Sequence, residues 1–276
     1  MISELCIHDL RAGEARVVLA HEGLIEAPNW HPEGVLLVNG GGRLFRVALG
    51  APALVEVSTG RVGRLNNDHG LSPDGQTLAI SGKTETERSC IYLLPVEGGE
   101  PVRVTPEVPS WWHGWSPDGA RIAYASMREG GPVAIRTCAL DGSDERLVTD
   151  AFDHADGPDY DPEGLVWFNG EREGSVDVWR VRPDGSDLTR MTDGPTVDWF
   201  PHPSPDGAHV LYLAYPAGTL AHPAMLEVEL RLMPRTGGAS RAVERIAGAH
   251  RGGQGTINVP CWAPDSSAFA FVRYRA

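Results

Sequence analysis

His69 and His113 stand at the same offset, three residues ahead of the serine in a recurring Ser-Pro-Asp-Gly tetrapeptide. Five residues ahead of the equivalent position in each repeat come Glu26, Asn67, Trp111, Asp156, Trp199 and Asn258. Imidazole titrates near neutrality and is the commonest transition-metal ligand, so histidines at matching places suit proton transfer or a shared cation. Carboxylates and amides fix the hydroxyls of a ligand, and an indole packs against the C–H face of a sugar. Asp68, Asp198, His202 and Gln254 are near in sequence to these positions, and a third metal donor is available from His202, Gln254, Asp156 or His154. A second reading stays open beside this one. Polar side chains around a narrow channel also serve simply to hold water, and the indoles of Trp111 and Trp199 also suit a core.

The elements that must position these groups follow from the tetrapeptide. It begins at His31, Ser72, Ser116, Asp161, Ser204 and, in degenerate form, Ala263, with starts 41, 44, 45, 43 and 59 residues apart. Proline presets φ for a type I turn, the acid tolerates the next position, and glycine accepts positive φ at the exit. Apolar stretches such as Thr77-Leu78-Ala79-Ile80 and His209-Val210-Leu211-Tyr212-Leu213 follow the turns and read as strands. Second hairpins at 91–104, 134–148, 178–191 and 230–246 complete four strands per repeat, at the period of propeller blades. After the sixth turn there is room for only two strands, and the chain begins with two others, at 4–8 and 16–19. The expected fold is therefore all-β: one six-bladed β-propeller domain over 1–276 with four-stranded antiparallel blades. The N-terminal strands pair with the C-terminal hairpin to close the ring, so that 1–20 and 254–276 share the sixth blade and no sheet edge is left free there.

In that plan the first strand of each blade lines the channel, and period-two alternation puts the offsets three and five on one face near one mouth. Trp30, Trp115 and Trp262, one residue ahead of the turn reference, recur with Tyr160 and are expected in the core. Cys6, Cys90, Cys138 and Cys261 show no metal-ligand spacing and are expected as reduced thiols. With 24 basic against 37 acidic residues and a net charge of −13, the chain repels phosphate backbones, so no nucleic-acid partner is expected. No apolar run reaches the ~20 residues of a membrane span, and the first residues do not read as an export signal, which gives a cytoplasmic expectation with no membrane partner.

The interval before the last turn is oversized, and its excess falls at 215–229, including His222 and Pro223. Long insertions on a scaffold carry function, here as a lid over the channel or as a surface for a partner. The turn with a tryptophan before it and a strand such as Ile122-Ala123-Tyr124 after it resembles the WD40-like propellers of the TolB type, over nearly the whole chain. Asn67-Asp68-His69-Gly70, Trp112-His113-Gly114-Trp115, Trp199-Phe200-Pro201-His202-Pro203 and Gly253-Gln254-Gly255 look like the channel-mouth sequences of the oligogalacturonate lyase-like branch. That resemblance implies a divalent metal, manganese, held by His69, His202 and Gln254, with His113 as base in a lyase acting on a uronic-acid-containing saccharide. A saccharide-binding protein without catalysis, a hydrolase pairing Asp156 with Glu26, and a protein-interaction scaffold using the rim and the insertion are the alternatives.

Overall fold

The tetrapeptide turn stitches itself shut. Ser72 Oγ donates to Asp74 Oδ1 (2.5 Å) and accepts from Thr77 N (3.0 Å), while Gly75 leaves the turn at φ +71°. The same bonds recur at Ser116 with Asp118 and Arg121, and at Ser204 with Asp206 and His209. Where Asp161 replaces the serine, its Oδ1 accepts from Glu163 N (3.0 Å) and Leu165 N (2.9 Å). Each turn is thus an autonomous hairpin former, and only glycine enters the left-handed exit position without strain.

In the computed structural model, which describes residues 1–83 and 86–275, these hairpins build an all-β propeller of four-stranded antiparallel blades. The first repeat runs Glu26–His31, Val35–Gly40, Arg43–Ala48 and Val55–Val57 from the channel outward. The second, Leu65–Leu71 to Val102–Arg103, and the fifth, Val197–Pro203 to Arg241–Ile246, repeat that order. Among the described residues, hydrogen bonding gives four sheets of four or more strands, not the expected six. The third and fourth repeats merge into one eight-stranded sheet through the parallel pair Val133↔His154. At the chain ends Ile2–Asp9 pairs with Glu14–Glu22, and His250–Arg251 with Ala268–Arg275. These pairs touch, because Leu10 N donates to Ser267 O (3.0 Å) and Arg273 Nε donates to Glu4 Oε2 (2.8 Å). Ala276, the end of the expected closing hairpin, lies outside the described residues.

The core lies between neighbouring blades. Trp167 and Val178 of the fourth repeat pack on Val210, Tyr212 and Met233 of the fifth, and Leu37 and Val57 of the first pack on Leu78 and Tyr92 of the second. Trp115, Tyr160 and Trp262 are buried as expected, while Trp30 is half-buried. The four cysteines are free and buried.

A feature of the inner strands breaks strict alternation. In the first, fourth and fifth repeats two residues oppose one across the ladder: pairing runs Glu26↔Asn39 then Asn29↔Leu37, Asp156↔Asn169 then Asp159↔Trp167, and Trp199↔Leu213 then His202↔Leu211. The second and third repeats shift register at the same place. Ala27, Gly157 and Phe200 occupy this bulge at φ 56°, 60° and 53°, the left-handed region that a bulge imposes on its first residue. Side chains from the preceding blade hold it: Asn39 Nδ2 donates to Asn66 O (2.8 Å), Ser81 Oγ accepts from Trp112 N (2.9 Å), and Asn169 Oδ1 accepts from Phe200 N (3.1 Å). In the first, fourth and fifth repeats the bulge falls between the offsets three and five, so there they do not share one face as period two requires.

Close interblade approach makes a direct test. A Cβ on Gly70 would lie 2.1 Å from Trp112 Cη2. Gly70→Ala is expected to destabilise the fold by ~1–3 kcal/mol through overpacking, read as a fall in the urea midpoint at unchanged slope.

Candidate functional site

A cavity of about 330 Å³ opens where the bulged ends of the inner strands converge. The second repeat lines it with Asn66, Asn67, Asp68 and Lys83, the third with Trp111, His113 and Val133, and the fourth with His154 and Asp156. Phe200 and His222 of the fifth repeat and Gln254 and Asn258 beyond it complete the wall.

Asp156 is the centre of the polar part. Its Oδ1 accepts from the amide of Gly157 (2.8 Å) and lies 3.1 Å from His113 Nε2. Its Oδ2 faces His154 Nε2 at 3.6 Å and His222 Nε2 at 3.9 Å. Aromatic rings back the imidazoles: Trp199 lies 4.4 Å from His222 and 5.8 Å from His154 between centroids, and Phe200 lies 6.4 Å from His113.

Burial and mutual charge divide the titrations. Burial opposes the Asp156 charge, yet the bonds and charges of His113 and His154 hold its carboxyl well below the ordinary value. Burial likewise opposes a charged His113, but Asp68 and then Asp156 outweigh it and push its pKa up to about 9. Asp68 is pushed up to about 7, mainly by burial, although His113 favours its ionised form. His154 is raised by Asp156 against the effect of burial, whereas burial lowers His222. At neutral pH the cavity therefore holds an ionised Asp156, an imidazolium at His113 and a neutral imidazole at His222, with Asp68 near its midpoint.

Eight of the thirteen residues singled out from the sequence line this cavity: Asn67, Asp68, Trp111, His113, His154, Asp156, Gln254 and Asn258. Glu26 stands one layer behind and accepts from Asn67 Nδ2 (3.3 Å). Trp199 is buried beneath His154 and His222, and Asp198 lines a separate cavity with Tyr212 and Arg231. His69 is buried and does not line the cavity, and burial pushes its pKa down to about 4 against the opposing effect of the Leu37 and Asn67 backbone. His202 has both nitrogens engaged, Nδ1 with Asp159 Oδ2 (3.1 Å) and Nε2 with Ile257 O (2.6 Å). The expected metal set of His69, His202 and Gln254 is thus not brought together, since only Gln254 reaches the cavity. Among the described residues no group of three or more His, Cys, Asp or Glu is arranged to hold a metal ion. The physical reason is the bulge: it turns His113 inward while leaving the equivalent His69 paired opposite Ile80, outside the cavity. His222 was legible through the oversized interval and Phe200 through its place beside Trp199, while no sequence pattern marks Asn66, Lys83 or Val133.

The comparisons with known proteins agree with this architecture. No protein-family model matches the chain. The uncharacterized protein Atu1656 of Agrobacterium fabrum is 44% identical over 99% of this chain and 93% of its own length. A solved structure from Agrobacterium tumefaciens, provisionally named TolB, superposes with a TM-score of 0.96 at 44% identity, over 100% of this chain and 99% of that one. The chain belongs to the TolB-like β-propeller family. TolB of Acinetobacter baumannii shares the fold at TM-score 0.66 and 15% identity, over 86% of this chain and 61% of that one. An oligogalacturonate lyase in complex with manganese shares it at TM-score 0.55 and 14% identity, over 91% of this chain and 77% of that one. For these last two the likeness is one of fold alone.

The charge pattern of this TolB-like cavity makes stability depend on pH. A histidine whose folded pKa is raised contributes stability that is present below its unfolded value near 6.5 and lost as pH rises through about 9. Wild-type stability is expected to fall between about pH 6.5 and pH 9, and Asp156→Asn is expected to flatten that fall and to lower the His113 pKa in an NMR titration. An unshifted His113 would contradict the Asp156 pairing.

Proposed function

We propose that the channel-mouth cavity binds a uronic-acid-containing saccharide. The observation that carries this reading is the cluster of imidazoles around Asp156, set beside an indole wall at Trp111 and amides at Asn66, Asn67 and Asn258. His113, charged at neutral pH, suits the sugar carboxylate, Trp111 suits its C–H face, and the amides suit its hydroxyls. A charged imidazole does not serve as a base. The proton-exchanging group at neutral pH is Asp68, whose carboxyl accepts from Asn66 Nδ2 (2.5 Å) and titrates near 7. A lyase step in this cavity would therefore use Asp68 to take the proton beside the sugar carboxylate, with His113 neutralising the charge that develops there. The donor set does not fit the manganese site of the sequence resemblance, and no step is assigned to a metal.

The framework that holds this cavity is, in our reading, one domain with a ring of six blades. The touching end pairs support a closing blade made of two strands from each terminus, fastened by Leu10 to Ser267 and by Glu4 to Arg273. Glu4 also faces His250 (3.3 Å) and Arg275 (3.4 Å), so one buried carboxylate gathers two guanidinium groups and an imidazole at the seam.

One observation favours a scaffold as the second reading: Leu220, on the insertion, is 87% exposed. Leu220→Asp separates the two. Loss of a co-purifying protein with saccharide binding intact supports the scaffold, and the reverse supports the ligand site.

Calorimetric titration with trigalacturonate and with glucuronate tests the main reading. Binding is expected for the wild type, with His113→Ala weakening it by ~2 kcal/mol, roughly thirtyfold, as for a lost hydrogen bond to a charged group. Trp111→Ala is expected to cost about tenfold. Absence of binding across such a panel would overturn the proposal.

A further inference from the structure

The insertion at 215–229 is seated on the cavity rather than projecting from the ring. Pro223 O accepts from Tyr215 Oη (3.1 Å) and from Gln254 N (3.3 Å), and Leu226 and Gly252 exchange backbone bonds of 3.0 and 2.8 Å. Gly253, at φ +113°, allows the approach, since a Cβ there would lie 2.2 Å from Pro223 O. The seat delivers His222, whose ring is wedged against Trp199 at 4.4 Å and Phe200 at 5.3 Å.

That ring shares Asp156 with a second imidazole. His222 Nε2 and His154 Nε2 both face Asp156 Oδ2, at 3.9 and 3.6 Å, neither within hydrogen-bond length. His154 Nε2 is buried without a partner. Three polar atoms therefore face one another beyond hydrogen-bond length. Asp156 only accepts, and an imidazole nitrogen donates or accepts according to its protonation, so a hydroxyl, which does both, suits all three, whereas a carboxylate has nothing to donate to Asp156.

We propose that His154, Asp156 and His222 form a hydroxyl subsite, and that His222 is the specificity-determining residue which the insertion brings to it. The proposal rests on the saccharide reading above and names which part of the ligand is selected. Burial keeps the His222 ring below the ordinary histidine range, against the pull of Asp156. A neutral ring can accept from a hydroxyl where the charged His113, across the same carboxylate, cannot. Around His222 the charged or titratable groups are Asp156 and His154 on the fourth repeat, with His113 and Asp68 farther across the cavity and Gln254 beside it.

The test is calorimetry with trigalacturonate on wild type, His222→Ala, His222→Gln and Gly253→Ala, with circular dichroism to establish folding. His222→Ala is expected to bind about tenfold more weakly, the loss of one hydrogen bond. His222→Gln, which keeps an acceptor, is expected to recover most of that loss, and Gly253→Ala, which unseats the insertion, to behave like His222→Ala. Folded His222→Ala that binds as wild type overturns the subsite. Should wild type itself not bind trigalacturonate, the saccharide reading fails and 15N imidazole spectra decide the subsite separately. A His222 ring neutral at pH 7, titrating below His113, sustains it for another hydroxyl ligand, and a charged ring at pH 7 overturns it.

Discussion

The interaction on which the rest depends is a hydrogen bond from one blade into the bulge of the next. Asn39, Ser81 and Asn169 occupy the same place on the second strands of the first, second and fourth repeats, and each binds a backbone group in the following inner strand. A bulge leaves a peptide group without its ladder partner, and buried peptide groups are costly to leave unpaired. The neighbouring side chain supplies that partner, so the irregularity is stable only when the blades stand side by side. The distortion of the inner strands and the assembly of the propeller are thus one event. The distortion also turns Asp68, His113 and Phe200 toward the axis, where regular alternation would have placed a different set.

Once those strands are bent, electrostatics arranges what they carry. Asp68 is buried and Asp156 half-buried in one cavity, and two neighbouring carboxylates there do not ionise equally. Asp156 wins because the Gly157 amide and the His113 and His154 imidazoles gather around it, and Asp68 is left near neutrality. His113 sits between them and is held charged by both. An arrangement that pushes neighbouring titrations apart is typical of sites that handle protons. By contrast, the Asp159 and His202 pair below the cavity is closed on itself through Ile257 O and has no free atom to offer.

How much of this was legible in the sequence depends on the range of the forces involved. The Ser-Pro-Asp-Gly hairpins were readable because every bond that makes them lies within six residues, as at Ser72 to Thr77. The offset-five layer was readable because Asn67, Trp111, Asp156 and Asn258 precede the same turn by the same count. The offset-three layer was misread because the bulge falls between the two offsets and is imposed from the adjacent blade. His69 and His113 look equivalent by counting and part company in space.

The sequence by itself determined the repeat, the strand plan, the composition that repels polyanions, and a pool of histidines, acids, amides and indoles at one end of the inner strands. Only the tertiary structure decided which of them meet. It engaged both nitrogens of His202, buried His69, folded the 215–229 insertion back to bring His222 over Asp156, and set His113 beside Asp68 and Asp156, whose carboxylates favour its charged form. The reason is that turns are made by neighbours in the chain. Bulges, desolvation and coupled charges are made by neighbours in space, and these have no signature at fixed sequence spacing.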